Sequence, residues 1–157
     1  MRLGVDFGGT KIEAALLDSK GEILARQRVP NPGDYEGAVG AVANLVARIE
    51  QETGASAKTV GFAVPGSLSP ATGLMRNANS TWLNGKPFLK DLTAALARSV
   101  RLENDANCFA LSEAVDGAAA HGRVVFGVII GTGCGGGVVV ERKVIEGVNG
   151  IGGEWGH

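Results

Sequence analysis

Apolar residues in this chain come first in short runs split by turns, then at helical spacing, then in short runs again. Residues 2–7, 12–18 and 22–29 read as three strands, with Ser19-Lys20-Gly21 turning the second into the third. Pro30-Asn31-Pro32-Gly33 breaks that sheet. Val39, Val42, Leu45, Val46 and Ile49 recur at helical spacing, which predicts a helix over 35–53 with Gly54 as its cap. A short buried strand is expected over 59–64, closed by Pro65-Gly66, and residues 67–86 read as a loop-rich excursion. Helices are expected over 88–97 and 106–117, with a strand over 100–103 between them. Val124 opens a new sheet, and the β-branched run 138–145 continues it. The order β-β-β-α-β-α-β-α, followed by a second hairpin, predicts an α/β fold. A first lobe closes over 1–119 and a second begins over 120–157. The last residues, Gly150-Ile151-Gly152-Gly153-Glu154-Trp155-Gly156-His157, form a glycine-rich loop, so the chain reads as the N-terminal half of a longer polypeptide.

Two glycine-rich turns stand at the joints between apolar runs. One is Gly4-Val5-Asp6-Phe7-Gly8-Gly9-Thr10-Lys11; the other is Gly127-Val128-Ile129-Ile130-Gly131-Thr132-Gly133-Cys134-Gly135-Gly136-Gly137. Glycine lacks a Cβ and lets backbone N–H groups approach a phosphate closely. Facing each other, two such hairpins could clamp a nucleotide triphosphate. The second turn also fits G-x-G-x-x-G, but a dinucleotide site needs that turn to open a helix, and a β-branched run follows here. No Gly-Lys-Ser/Thr of a Walker loop occurs. Plain hairpin turns are the bland alternative, made less attractive by the matching flanks and the Asp before the first turn.

Composition narrows the function classes. The 157 residues include 25 glycines and carry a net charge of −1, so no field suited to a polyanion is implied, and nucleic acid is not an expected partner. Cys108 and Cys134 are far apart and read as free thiols in a reducing cytoplasm. No apolar run is long enough for a bilayer and no leader pattern opens the chain, so a soluble cytoplasmic protein without a membrane partner is expected.

Several side chains could carry chemistry. Asp6 ends the first strand beside the first turn, where a carboxylate could hold hydrated Mg²⁺ or brace the turn. Asp105 lies between a strand and a helix. There it could accept the proton of an attacking hydroxyl or serve as the helix N-cap, and position alone favours neither. Asn77, Asn79 and Asn104 can donate and accept toward a polyhydroxylated ligand, or be turn residues. Glu154 and His157, three apart, could bind sugar hydroxyls, and the histidine could bind a metal. Trp82 is read as covering a core edge and His121 as surface.

Together these residues resemble the ROK family (repressor, open reading frame, kinase) of bacterial sugar kinases. The resemblance rests on Asp6-Phe7-Gly8-Gly9-Thr10-Lys11, Pro65-Gly66, Asn104-Asp105-Ala106-Asn107, the 131–137 glycine run and Gly153-Glu154-Trp155-Gly156-His157. The segments 77–85 and 112–119 look most like the fructokinase (manno-fructokinase) branch. The resemblance implies an actin-like, hexokinase/ribonuclease H-like ATPase fold, with the first lobe complete and the second partial. It implies ATP-dependent phosphorylation of a hexose 6-hydroxyl, fructose first, with Asp105 as base. Glucose, mannose and N-acetylglucosamine are the alternatives. Gly8, Gly9, Thr10, Lys11, Gly131, Thr132, Gly133, Cys134 and Gly135 would face the ATP phosphates, with Mg²⁺ near Asp6. Asn79, Asn104, Asp105, Glu154 and His157 would line the sugar site. In many members the histidine matching His157 also ligates structural Zn²⁺ with three cysteines. Cys108 and Cys134 do not stand at those positions. A homodimer is implied.

Two other readings compete. A sugar-sensing ROK repressor would carry an N-terminal winged helix, whereas Met1 runs straight into the first strand. An actin- or chaperone-like ATPase would lack sugar chemistry, which Asn104-Asp105 and Glu154-x-x-His157 oppose. The 157 residues alone are expected to be inactive, to leave apolar surface of the 124–140 sheet uncovered and to associate.

Overall fold

A computed structural model describes residues 1–130 and 134–156. Three strands open the chain: β1 (Arg2–Phe7), β2 (Lys11–Leu17) and β3 (Ile23–Pro30). Helix α1 (Tyr35–Thr53) follows, then β4 (Thr59–Val64). Two short strands, β5 (Ser67–Leu68) and β6 (Met75–Arg76), and a 3₁₀ turn (Thr81–Leu83) occupy the segment expected to be loop. Helix α2 (Phe88–Leu96), β7 (Ser99–Asn104) and α3 (Asp105–Val115) come next. A second sheet begins with β8 (Val124–Ile130), β9 (Cys134–Val140) and β10 (Lys143–Val144). No helix among the described residues is long and apolar enough to cross a membrane.

The five-stranded sheet runs β3-β2-β1-β4-β7. β1, β2 and β3 are antiparallel neighbours, whereas β4 lies parallel to β1 and β7 parallel to β4. On one face, Leu3, Val5, Phe7, Ile12, Ala14 and Leu16 point into a core. Their period-two spacing on two paired strands makes this face continuous. The apolar stripe of α1, with Val42, Leu45, Val46 and Ile49 buried, lies in the same core, and α2 adds Phe88, Leu92 and Leu96. Burying each such large aliphatic side chain is worth about 1.5–3 kcal/mol. Asp34 caps α1 by accepting the Gly37 N–H at 2.8 Å, and Gly54 ends it in the left-handed region as expected. Trp82 packs edge-on to Phe7 at the margin of this core, and His121 is exposed.

The opposite face of β1–β3 is polar. Asp6 is registered with Glu13, and Glu13 with Arg28. Glu13 accepts from Arg26 Nε at 2.6 Å and Arg28 Nε at 2.5 Å.

The three-stranded sheet runs β10-β9-β8. One of its faces lies on α3, where Ala110, Ala114, Val125 and Val139 form a small separate core. A Cβ at Gly127 would stand 2.7 Å from Ala110 Cβ, and one at Gly137 would stand 2.8 Å from the Ala106 carbonyl oxygen. Glycine is therefore what lets the hairpin reach the helix. Val124, Phe126, Val128 and Ile130 are exposed along β8, so the apolar surface expected to lie uncovered does so. The sequence placed the glycines after Gly131 in a turn. Instead β9 starts at Cys134, and Gly135, Gly136 and Gly137 are strand residues paired with β8.

Candidate functional site

The parallel strands β1, β4 and β7 end together, because Asp6 is registered with Ala63, and Ala63 with Glu103. Three turns therefore meet at one edge: the one after Phe7, Pro65-Gly66, and Asn104-Asp105. Carboxyl ends of parallel strands are where ligands gather in α/β sheets. A cavity of about 640 Å³ opens there, within the usual range of small-molecule sites, roughly 300–1,000 Å³. Asn77, Asn79, Asn104, Asp105, Cys134, Gly135 and Glu154 contribute to its wall.

The junction between β7 and α3 shows which residue caps the helix. Asn104, not Asp105, is the N-cap. Its Oδ1 accepts the Ala106 N–H at 2.9 Å and the Asn107 N–H at 3.2 Å. Its Nδ2 donates to the Gly66 carbonyl at 3.1 Å. Both lone pairs of Oδ1 are thus engaged, and Asn104 has a single N–H left to offer a ligand. Asp105 is the first helical residue, its Oδ1 accepting only its neighbour's amide, Ala106 N–H, at 2.8 Å. Its carboxylate is accessible from the cavity.

Gly66 makes this closeness possible. It adopts a positive φ of 78°, and a Cβ there would lie 2.7 Å from Ala78 N. Asn84 braces the same stretch, accepting from Ala78 N at 2.9 Å and donating to Ala78 O at 3.1 Å. Asn77 and Asn79 project from either side of that clamp.

Glu154 reaches the site from the far end of the chain. Its loop lies against β9, where a Cβ at Gly136 would stand 2.6 Å from Gly153 O. Trp155 Nε1 donates to Gly135 O at 3.1 Å and its ring meets Phe126 edge-on. These contacts bring the Glu154 carboxylate oxygens to 3.8 and 3.9 Å from the Cβ position of Gly135.

The first glycine turn lies outside the cavity wall. Gly8 N–H donates to Lys11 O at 3.0 Å, closing the turn. Asn31 holds it from the side: Nδ2 donates to Gly8 O at 2.8 Å and its N–H to Thr10 O at 2.9 Å. A Cβ at Gly9 would meet Ser80 Oγ at 3.3 Å, so the turn borders the residue next to Asn79. Thr10 and Lys11 are exposed. Gly131, Thr132, Gly133 and His157 lie outside the described residues.

Three carboxylates share one field. Desolvation lifts Asp105 above the usual carboxylate range; the Ala106 amide opposes this, and the Asp6 charge adds to it. Desolvation also lifts Asp6, helped by Glu13 and opposed by Lys11 and Arg28. Glu154 is raised by desolvation and then by Asp105. Cys108 behaves as an inert thiol: desolvation, then Glu103, Asp105 and Asp6, push it up to about 12. Asp6, a carboxylate at the end of β1 beside the first glycine turn, is the kind of donor Mg²⁺ takes, since that ion binds one or two carboxylates and keeps its waters. For zinc, no group of three His, Cys, Asp or Glu side chains among the described residues is arranged to hold an ion.

Asn31, Asn84, Glu103 and Asn107 were not singled out from the sequence as site residues. Asn31 and Asn84 read as breakers and loop polars, since only folding brings them to their carbonyl partners.

The comparisons agree with this fold. The chain is 46% identical over 158 residues to an N-acetyl-D-glucosamine kinase of Haemophilus influenzae; the match spans all of this chain and 52% of that protein. It superposes on a ROK hexokinase of Thermus thermophilus with TM-score 0.86 and 37% identity, covering 98% of this chain and 51% of that one. A ROK glucokinase of Streptomyces griseus, solved with glucose and AMPPNP, gives TM-score 0.83 at 31% identity, covering 99% and 49%. The chain thus spans about half the length of the curated relatives it matches. Its mixed α/β architecture is that of the actin-like sugar kinases. With the ROK family model matching residues 2–157, the chain belongs to the ROK family.

Proposed function

We propose that the whole protein transfers the γ-phosphoryl group of ATP to the 6-hydroxyl of a hexose, with Asp105 as general base. The observation that carries this reading is the division of labour at the start of α3. Asn104 caps the helix, which leaves the Asp105 carboxylate for the cavity. The hydroxyl proton passes to Asp105 as the sugar oxygen bonds to the γ-phosphorus and the bond to ADP breaks. A carboxyl raised above its ordinary value is a better base than a common Asp, because its proton affinity lies nearer the operating pH. Asn79, the remaining N–H of Asn104, and Glu154 would orient the sugar hydroxyls. Gly8, Gly9, Thr10 and Lys11, with Gly131, Thr132, Gly133, Cys134 and Gly135 opposite, would face the phosphates. Asp6 would hold hydrated Mg²⁺, which when bound neutralises phosphate charge.

The Haemophilus relative moves N-acetyl-D-glucosamine ahead of the fructose expected from the 77–85 and 112–119 segments. Two lobes dividing near residue 119 and cytoplasmic residence carry over from the sequence, and a homodimer and zinc at His157 from the family reading. Asp105→Asn in the whole protein should lower kcat by about 10²–10⁴ while hexose still binds. A coupled ADP-release assay with N-acetylglucosamine, fructose, mannose and glucose measures it and ranks the sugars. Wild-type turnover by the Asn variant sinks the assignment.

A further inference from the structure

Behind Asn104 and Asp105 stands a pair of polar side chains, Glu103 and Asn107, to which no role in binding has been given above. Glu103, the residue before the cap, accepts two hydrogen bonds on one oxygen. Asn104 N–H reaches Glu103 Oε1 at 2.8 Å, and Asn107 Nδ2 reaches it at 2.9 Å. Glu103 also borders a second cavity, of about 220 Å³, on the other side of Asn104. Asn107 is 3% exposed. Its Oδ1 has no hydrogen-bond partner among the described residues, and a Cβ at Gly137 would stand 2.8 Å from it. A buried amide oxygen left unmatched is costly, and such groups persist where something else requires the residue.

What Asn107 does in exchange is mechanical. It lies in the first turn of α3, two residues after Asp105, wedged between Glu103 on one side and the bare Cα of Gly137 on the other. Glu103 therefore holds that turn at two points, the cap's own amide and the Asn107 side chain. Gly137 supplies the opposing wall from β9, the strand that leaves the second glycine turn. A helix start fixed from both sides cannot roll about its axis, and such a roll would carry Asp105 away from the hydroxyl it must reach.

We infer that Glu103, acting through Asn107, is a positioning residue for the Asn104–Asp105 pair, and that it ties their placement to strand β9. This rests on the kinase reading given above. A misplacement of about 1 Å at a reacting group costs on the order of 10²-fold in rate. Partners that orient reacting groups from behind typically matter by about 10–100-fold.

The test uses the whole protein, with kcat, KM for hexose and ATP, and circular dichroism read at a temperature where each variant is fully folded. Glu103→Ala should lower kcat about 10- to 100-fold with KM for ATP unchanged. Glu103→Gln keeps an acceptor oxygen for both N–H groups and should recover kcat to within about threefold of wild type, as a retained neutral hydrogen bond allows. Asn107→Ser, which leaves Glu103 Oε1 on the Asn104 N–H, should give part of the alanine defect, and the double variant Glu103→Ala/Asn107→Ser should be no worse than Glu103→Ala alone, because the Glu103–Asn107 contact is already lost there. Should Glu103→Ala not fold, Asn107→Ser against Glu103→Gln carries the same comparison. Wild-type kcat in the folded Ala or Ser variants overturns the inference, as does an equal loss in Gln and Ala. Asp105→Asn, run beside them, separates the two readings. If it retains turnover, the kinase assignment fails. If it is inactive while folded Glu103→Ala keeps the wild-type kcat, the positioning role alone fails.

Discussion

In the five-stranded sheet the residues that share a core with α1 are large: Phe7, Ile12 and Leu16 lie with Leu45 and Ile49. In the three-stranded sheet Val125 and Val139 pack on α3 beside two glycines that meet its alanines closely, Gly127 on Ala110 and Gly137 on Ala106. The first sheet is held by apolar area removed from water, and its exposed glycines have room around them. The second is held in part by closeness of backbone, and Gly127, Gly136 and Gly137 have none. The first arrangement suits a scaffold, since area is forgiving of detail. The second suits a site, since close backbone contact leaves little slack at the start of α3, where Asn104 and Asp105 stand.

The largest effect that would break this contrast is in the first core. Leu45 is fully buried, and Leu45→Ala should cost about 2–5 kcal/mol in urea or thermal unfolding. A loss below about 1 kcal/mol would mean that this core is not the seat of stability.

The next effect sets glycine against glycine. At Gly61 in β4 a Cβ would have nothing within 4 Å, whereas at Gly137 it would press on Ala106 O and Asn107 Oδ1, both 2.8 Å away. Gly137→Ala should therefore cost about 1–3 kcal/mol, and Gly61→Ala should stay within about 0.5 kcal/mol. Equal costs in the same denaturation assay would erase the distinction between the sheets.

The smallest effect is electrostatic, and its sign differs between the regions. Glu50, on α1, is hydrogen-bonded by Arg98 at 2.5 and 3.0 Å, which holds it below the usual range despite desolvation. Its contribution to stability is present above the unfolded-state value, about 4.3, and is lost as pH falls through the lower folded value. Asp6, Asp105 and Glu154 are raised, so the folded chain binds their protons more tightly than the unfolded one. Their contribution is full below about pH 4 and is lost as pH rises through the folded values. Asp105→Asn should accordingly raise Tm at neutral pH and leave it unchanged in acid. Glu50→Gln should lower Tm at neutral pH, and less so in acid. Scanning calorimetry at the two pH values checks both, and parallel shifts in the two variants would contradict the assignment.

The same contrast explains what could be read from the sequence. Helix α1 and strands β4 and β8 fall at the expected residues, because apolar periodicity and Pro or Gly stops mark them strongly. The place of Asp105 between a strand and a helix followed from the element order. The start of β9 did not, because Gly135, Gly136 and Gly137 look like a turn by composition, and only their fit against α3 and the 153–155 loop makes them strand. Nor did the cap: Asn and Asp are near-equal N-caps, and Asn104 is chosen because Gly66 O stands ready for its amide. Glu103 and Asn107, four apart, carry a hydrogen bond whose purpose depends on a glycine thirty residues further on.

Asn31 has a consequence for timing. By holding Gly8 O and Thr10 O it keeps the first glycine turn in shape with no ligand in place. A loop that must organise itself around an incoming anion loses backbone freedom at that moment, at about 1–2 kcal/mol for each residue fixed. Here most of that ordering was completed when the chain folded. On the kinase reading proposed above, the turn would meet a phosphate chain already in shape, and the ordering cost of binding would be correspondingly small.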